Sequence, residues 1–280
     1  MYDDALAWAG AAVGSPVVRH QPLTGGVTST MLALDHRDGA ESVLRLMTHE
    51  PWRTHGAELA TRERDAQLFL AGSDVPTPAS LALDADGAAC GVAAHLMTRL
   101  PGVPLEQDLD LTAMASLLAR IHRLRPVEPF RDFQSWAWEA KWVLPSWTRH
   151  PDSWRRAFEV LAGPAPAYEP TFLHRDFSHR NLLWAGGSVS GVVDWVETST
   201  GPAWLDASHA ASGLAVMIGA EPAVAFLEQY ADHAPEPLHP FWLVMDTVGY
   251  LPPPGKLPLF RHAYQLARLD DWLDRVVRLS

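Results

Sequence analysis

Phe172-Leu173-His174-Arg175-Asp176-Phe177-Ser178-His179-Arg180-Asn181-Leu182-Leu183-Trp184 is followed further on by Gly191-Val192-Val193-Asp194-Trp195. The first stretch holds His-x-Asp-x4-Asn between apolar flanks. The second is an apolar run ending on an aspartate, thirteen residues after Asn181. Asn181 is the only asparagine of the chain, and lysine and isoleucine occur twice each, a bias expected of a high-GC genome. An asparagine that survives such a bias beside an Asp and a His marks a position worth reading chemically.

Phosphoryl transfer requires a carboxylate near the acceptor hydroxyl and oxygen ligands that hold Mg2+ against nucleotide phosphates. Asp176 suits the first task. Asn181 offers a neutral carbonyl oxygen, and Asp194, after a buried strand, a charged one. The short spacing lets Asp176 and Asn181 point into one cleft, while the apolar flanks anchor their loop. The bland alternative is a turn-capping Asp176, a turn-forming Asn181 and a strand-ending Asp194.

Upstream, the pattern predicts a short amphipathic helix over 2–13. Strands follow around 17–18, 31–34 and 42–46, then a helix over 55–71 and strands over 79–84 and 90–98. Leu100-Pro101-Gly102-Val103-Pro104 reads as a linker. Beyond it the periodicity predicts helices over 111–124, 203–218, 222–232, 239–249 and 258–279, with a strand interlude over 171–196. Trp138 and Trp142 sit at i, i+4 spacing and predict a further helical turn. The result is an α+β chain with a small antiparallel-sheet lobe over 1–98, a linker over 99–104 and a helical lobe over 105–280.

Here the sequence resembles the aminoglycoside phosphotransferase family, small-molecule kinases related to protein kinases. The family pattern is His-Gly-Asp, four residues, Asn, then a strand ending in Asp; this chain carries Arg175 where the family has Gly. The resemblance implies a bilobal protein-kinase-like fold, nucleotide (ATP or GTP) and Mg2+ as cofactors, and a small-molecule hydroxyl acceptor: an aminoglycoside, a macrolide or another antibiotic, or a metabolite such as choline, homoserine or a sugar. It implies Asp176 and His174 as catalytic-loop residues and Asp206 as the carboxylate that buttresses the loop. It makes Asn181 and Asp194 the metal ligands. Gly25, Gly26, Thr28 and Ser29 would cover the nucleotide, and Arg99 would lie at the interlobe connection. Arg45 would replace the phosphate-binding lysine of kinases, since neither Lys141 nor Lys256 lies in the first lobe. Its carboxylate partner is Glu63, with Glu58 the competing choice. Gly25-Gly26 taken alone is equally a plain hairpin turn.

Two other readings share the motif. A protein kinase fits less well, because Ser178 stands where a lysine is usual and Trp195-Val196, not Phe-Gly, follows Asp194. A catalytically silent nucleotide-binding protein is disfavoured by the intact Asp176, Asn181 and Asp194. Net charge is -11, which argues against nucleic acid as partner. No apolar run is long enough for a membrane span. The single cysteine, Cys90, fits a reducing compartment, and the chain reads as cytoplasmic. His122 reads as structural. Trp136, Trp138, Trp142, Trp147 and Trp154 form either core or an aromatic wall for the acceptor. Glu139, Glu197, Asp232 and Asp246 are unspecific candidates for a cationic acceptor. The sequence leaves the acceptor and the oligomeric state open.

Overall fold

The computed structural model describes residues 2–24 and 28–279. In chain order it runs α1 (Asp3–Val13), β1 (Val17–Leu23), β2 (Thr30–His36), β3 (Glu41–Leu46), α2 (Gly56–Leu70), β4 (Ser80–Asp84), β5 (Ala94–Thr98) and α3 (Leu111–Arg123). It continues through α4 (Pro151–Ala162), β6 (Pro170–Leu173), β7 (Leu182–Ala185), β8 (Ser188–Val192), β9 (Ser199–Pro202), α5 (Trp204–Met217), α6 (Ala220–Ala231), α7 (Pro240–Gly249) and α8 (Ala263–Val277). The fold class is α+β, with an antiparallel sheet in the first part and helices in the second, as the sequence predicts. Two compact units emerge: Met1–Val103 with Leu183–Glu197, and Pro104–Leu182 with Thr198–Ser280.

In the first unit the sheet order is β1-β2-β3-β5-β4, antiparallel throughout. Strand side chains alternate between faces. Leu32, Leu34, Leu44, Leu46, Ala94 and Leu96 therefore share one face, and Ala5 and Ala9 of α1 close over it. Each fully buried leucine contributes roughly 1.5–3 kcal/mol. The same alternation sends Arg45 and His95, direct register partners, to the opposite face. There α2 buries Leu59, Glu63, Ala66 and Leu70 at helical spacing.

The division differs from the expected one, because 183–197 returns to the first unit. The reason is a set of long-range bonds. Val103 and Trp184 form a bridge, Ser190 Oγ donates to the Pro101 carbonyl at 2.6 Å, and Val192 N donates to the Pro76 carbonyl at 2.7 Å. Gly102 is required here: φ is +102°, and a Cβ would sit 2.5 Å from the Trp184 carbonyl oxygen. Arg62 Nη1 donates to the Val196 carbonyl at 2.6 Å, and Val196 packs with Met47, Leu59 and Ala60.

The second unit is built around α5, whose residues from Trp204 to Val216 are all buried. A helix apolar all round belongs at the centre of a core, and α6, α7 and α8 pack on it. Helix α3 begins at the N-cap Asp110, whose side chain accepts from Ala113 N at 2.9 Å, and buries Met114, Leu117, Leu118 and Ile121. Strands β6 and β9 pair antiparallel.

The predicted turn of helix joining Trp138 to Trp142 is absent as such. A 3₁₀ turn covers Glu139–Lys141 only, with Trp138 in extended backbone at ψ 153°. The buried Lys141 ammonium replaces helical N–H donors there. It donates to the Trp136 carbonyl at 2.9 Å and to the Gly249 carbonyl. Helix α4 went unpredicted. It starts at Pro151, a residue preorganised for a first helical turn. Among the described residues no helix is long and apolar enough to cross a membrane.

Candidate active site

Arg45 projects from β3 towards α2 in the first unit. Its Nη2 donates to Glu63 Oε1 at 3.0 Å and to Asp194 Oδ1 at 3.0 Å. Nε lies 2.9 Å from Glu63 Oε2, an ion-pair contact off the hydrogen-bond line. Nη1 donates to Ser29 Oγ at 3.1 Å. Glu63 Oε2 also takes His95 Nδ1 at 3.0 Å, and His95 Nε2 lies 2.9 Å from Ser80 Oγ. An ionised carboxylate only accepts, so Nδ1 of His95 carries a proton. Burial pushes the Glu63 carboxyl up, but the Arg45 charge and the His95 hydrogen bond override it and bring it to about 2. Glu58 bonds to Arg62 at 2.8 Å instead, so the geometry resolves the choice of Arg45 partner in favour of Glu63.

Asp194 follows β8 with φ at +69°, a left-handed conformation that costs a non-glycine residue of order 1–3 kcal/mol. Its side chain is 30% exposed, in contrast to the 4% of Arg45, so Asp194 is the more solvent-open member of this pair.

The His-x-Asp-x4-Asn loop forms the counterpart in the second unit. Asp206, on α5, accepts from His174 N at 2.8 Å and from Arg175 N at 2.7 Å. His122 Nε2 supports Asp206 at 3.1 Å, and Tyr230 Oη supports His122 Nδ1 at 2.6 Å. His122 is thus built into the loop's foundation. The clamp on two successive amides explains how Arg175 holds φ at +72°, where Gly has no Cβ penalty. The Arg175 guanidinium also stacks 3.8 Å from the Trp136 ring centroid. His174 Nδ1 accepts from Asp176 N at 3.2 Å, which closes the turn.

Asp176 is held through both oxygens. His209 Nε2 lies 2.9 Å from Oδ1, and Asn181 Nδ2 donates to Oδ2 at 3.0 Å and to the Asp176 carbonyl at 2.8 Å. Those two bonds fix the Asn181 amide, leaving its carbonyl oxygen as the end available to a cation. Burial pushes the Asp176 carboxyl up, yet the His209 hydrogen bond and charge hold it below the usual range. Its side chain remains 30% exposed, so one edge of the carboxylate is open to solvent.

The predicted site residues therefore gather into two sets. Ser29, Arg45, Glu63 and Asp194 meet in the first unit, and His174, Asp176, Asn181 and Asp206 meet in the second. Arg99 stands apart from Arg45, bonded to Glu41 at 3.1 Å. Thr28 is half-buried, and Gly25 and Gly26 lie outside the described residues. The sequence reading missed His95 and His209. His209 carried a signal: with Asp206 it is one of the two titratable residues in an otherwise apolar and small-residue helix. Among the described residues no group of three His, Cys, Asp or Glu side chains is disposed to hold a metal ion by itself.

A model of the phosphotransferase enzyme family (APH) matches residues 19–241. Among curated proteins no relative matches the chain. Several solved structures share the fold. Aminoglycoside phosphotransferase APH(4)-Ia, in a ternary complex with ADP and hygromycin B, is 17% identical, with TM-score 0.67 and 98% of each chain covered. Macrolide 2'-phosphotransferase MphH from Brachybacterium faecium is 16% identical, with TM-score 0.62 over 97% of this chain and 98% of that one. Amicoumacin kinase hAmiN, complexed with AMP-PNP, Ca2+ and its antibiotic, is 14% identical, with TM-score 0.60 over 100% and 94%.

Proposed function

The chain belongs to the phosphotransferase enzyme family, and we propose that it moves the γ-phosphate of a nucleoside triphosphate to a hydroxyl of an antibiotic of the aminoglycoside kind, with magnesium, in the cytoplasm. The observation that carries this reading is Asp176: a carboxylate with each oxygen anchored, a reachable edge, and a lone asparagine bonded to it. The acceptor hydroxyl bonds to Asp176 and its oxygen attacks the γ-phosphorus. The new O–P bond forms as the β–γ bridging P–O bond breaks, the proton passes to the Asp176 carboxylate, and nucleoside diphosphate leaves. A carboxylate made less basic by its neighbours suits a loose transition state, in which the proton is needed late.

Asn181 and Asp194 each offer a hard oxygen, the donor chemistry Mg2+ selects. Bound there, magnesium would neutralise phosphate charge. Two side chains, one neutral, are too few for an all-protein Mg2+ site, so nucleotide phosphates and water would supply the remaining oxygen ligands. Arg45 cannot deprotonate and supplies a permanent charge for phosphate, with Ser29 beside it. Glu63 and His95 fix its direction. The structural neighbours crystallised with hygromycin B and with amicoumacin suggest the acceptor class.

Coupled ADP release with MgATP and MgGTP over aminoglycosides, macrolides, amicoumacin, choline and homoserine tests the assignment. The expected result is acceptor-dependent turnover highest with an aminoglycoside. Turnover with choline or homoserine alone would refute the antibiotic assignment, and release indifferent to every acceptor would refute the transferase assignment.

A further inference from the structure

Asp176 bonds to a histidine that lies outside the motif. His209, on α5, is buried, with Nε2 2.9 Å from Asp176 Oδ1 and Nδ1 3.0 Å from Asp246 Oδ1. Both ring nitrogens therefore face carboxylate oxygens, which only accept. A neutral imidazole would point one bare lone pair at a carboxylate, so the bridge requires both N–H groups and a cation.

The surroundings hold the ring in place. Tyr250 stacks on it at 5.6 Å with planes 8° apart, and Trp136 meets it edge-on at 5.2 Å. Tyr250 Oη lies 3.3 Å from Nδ1, and burial keeps that phenol neutral by raising it well above the ordinary range. Around the bridge lie Arg175, whose Nη1 is 3.9 Å from Asp246 Oδ1, His174 and Arg180 acting on Asp176, and the Lys141 ammonium acting on Asp246.

Resting on the phosphotransferase reading above, we propose that His209 is a positioning residue for the transfer step: as an imidazolium bridging Asp176 and Asp246 it fixes Asp176 Oδ1, leaves the second lone pair of Oδ2, beside the Asn181 bond, to the acceptor hydroxyl, and by losing its proton sets the alkaline limit of turnover. Burial opposes the cation, but the Asp246 charge and the hydrogen bonds to Asp176 and Asp246 outweigh it and lift His209 to about 9. Above that pH the bridge loses one N–H, one carboxylate faces a lone pair, and Asp176 keeps only the Asn181 bond on its other oxygen. Removing Asp246's charge must lower the His209 midpoint, which moves the alkaline limit to lower pH.

Two measurements test this. The first is NMR titration of ring-labelled histidines, with His209 assigned from the signal missing in His209→Gln. It should give a midpoint near 9 in the wild type and at least one pH unit lower in Asp246→Asn. The second is the pH profile of kcat with MgATP and the best acceptor. Its alkaline limb should follow the NMR midpoint in both proteins. In His209→Gln that limb should vanish, with kcat down by up to about 100-fold, as for a misplaced catalytic group, and nucleotide KM within about twofold. If His209→Gln does not fold, the signal is assigned by through-bond correlation, and the wild type and Asp246→Asn decide. A His209 midpoint near 6.5, or a limb unmoved in Asp246→Asn, overturns the proposal. A wild type that turns over no acceptor overturns the phosphotransferase reading and the catalytic half of this one, while the NMR midpoint still decides the bridge.

Discussion

Two charge arrays, one in each unit, follow the same plan around different buried central side chains. In the first unit Arg45 stands between Glu63 and Asp194. In the second His209 stands between Asp176 and Asp246. Each array includes or adjoins a non-glycine residue at positive φ, Asp194 in one and Arg175 in the other. The central arginine cannot give up its proton in any working range, whereas the histidine can. The Arg45 array is therefore a fixed electrostatic frame, suited to ligand phosphate and metal. The His209 array can change charge, and it bonds Asp176, the carboxylate proposed to take the proton.

Asp194→Ala should break the first array at its only exposed carboxylate and abolish turnover. Calorimetry should then show that nucleotide no longer creates a Mg2+ site, whereas in the wild type Mg2+ binds weakly until a non-hydrolysable nucleotide is added. Tight Mg2+ binding to nucleotide-free protein, or full activity in EDTA, would overturn the ligand assignment. Arg45→Ala should weaken nucleotide binding. By leaving the buried Glu63 carboxylate without its cation and with only the His95 hydrogen bond, it should also cost roughly 3–5 kcal/mol of stability, read from urea unfolding. Unchanged nucleotide affinity would remove Arg45 from the phosphate site and reduce the first array to scaffolding.

A smaller effect separates the arrays by pH. Glu63 is depressed from 4.5 to about 2. Its contribution to stability is complete above 4.5 and is lost as pH falls through that window. The first array should thus make stability fall on the acid side between about pH 4.5 and 2, and Glu63→Gln should flatten that slope in urea midpoints measured from pH 5 to 2. An identical slope in variant and wild type would place the acid sensitivity elsewhere.

The strands were legible because period-two alternation over Leu32–Leu34 and Leu44–Leu46 is a local signal, as is the stripe of α3. The catalytic loop was legible because its residues fall within eight positions of one another. What escaped depends on distant chain. The return of 183–197 to the first unit rests on hydrogen bonds to the backbone of Pro76, Pro101 and Val103, which no local pattern encodes. The segment around Trp138 shows helical spacing, yet the Lys141 ammonium takes the Trp136 carbonyl, the Trp142 indole takes the Ala137 carbonyl, and no helix propagates. His209 lies outside the motif, and its partner Asp246 is 37 residues further on, so the sequence offered only an unspecific acidic candidate.

The most direct test of the account is single-turnover transfer from MgATP to the best acceptor in the wild type and in Asp176→Asn, with folding checked by circular dichroism. Asparagine keeps the size of the side chain and removes the acceptor of the proton. The account predicts native circular dichroism, nucleotide binding retained, and transfer slowed by roughly 10²–10⁴-fold. A variant that transfers phosphate at the wild-type rate would contradict it.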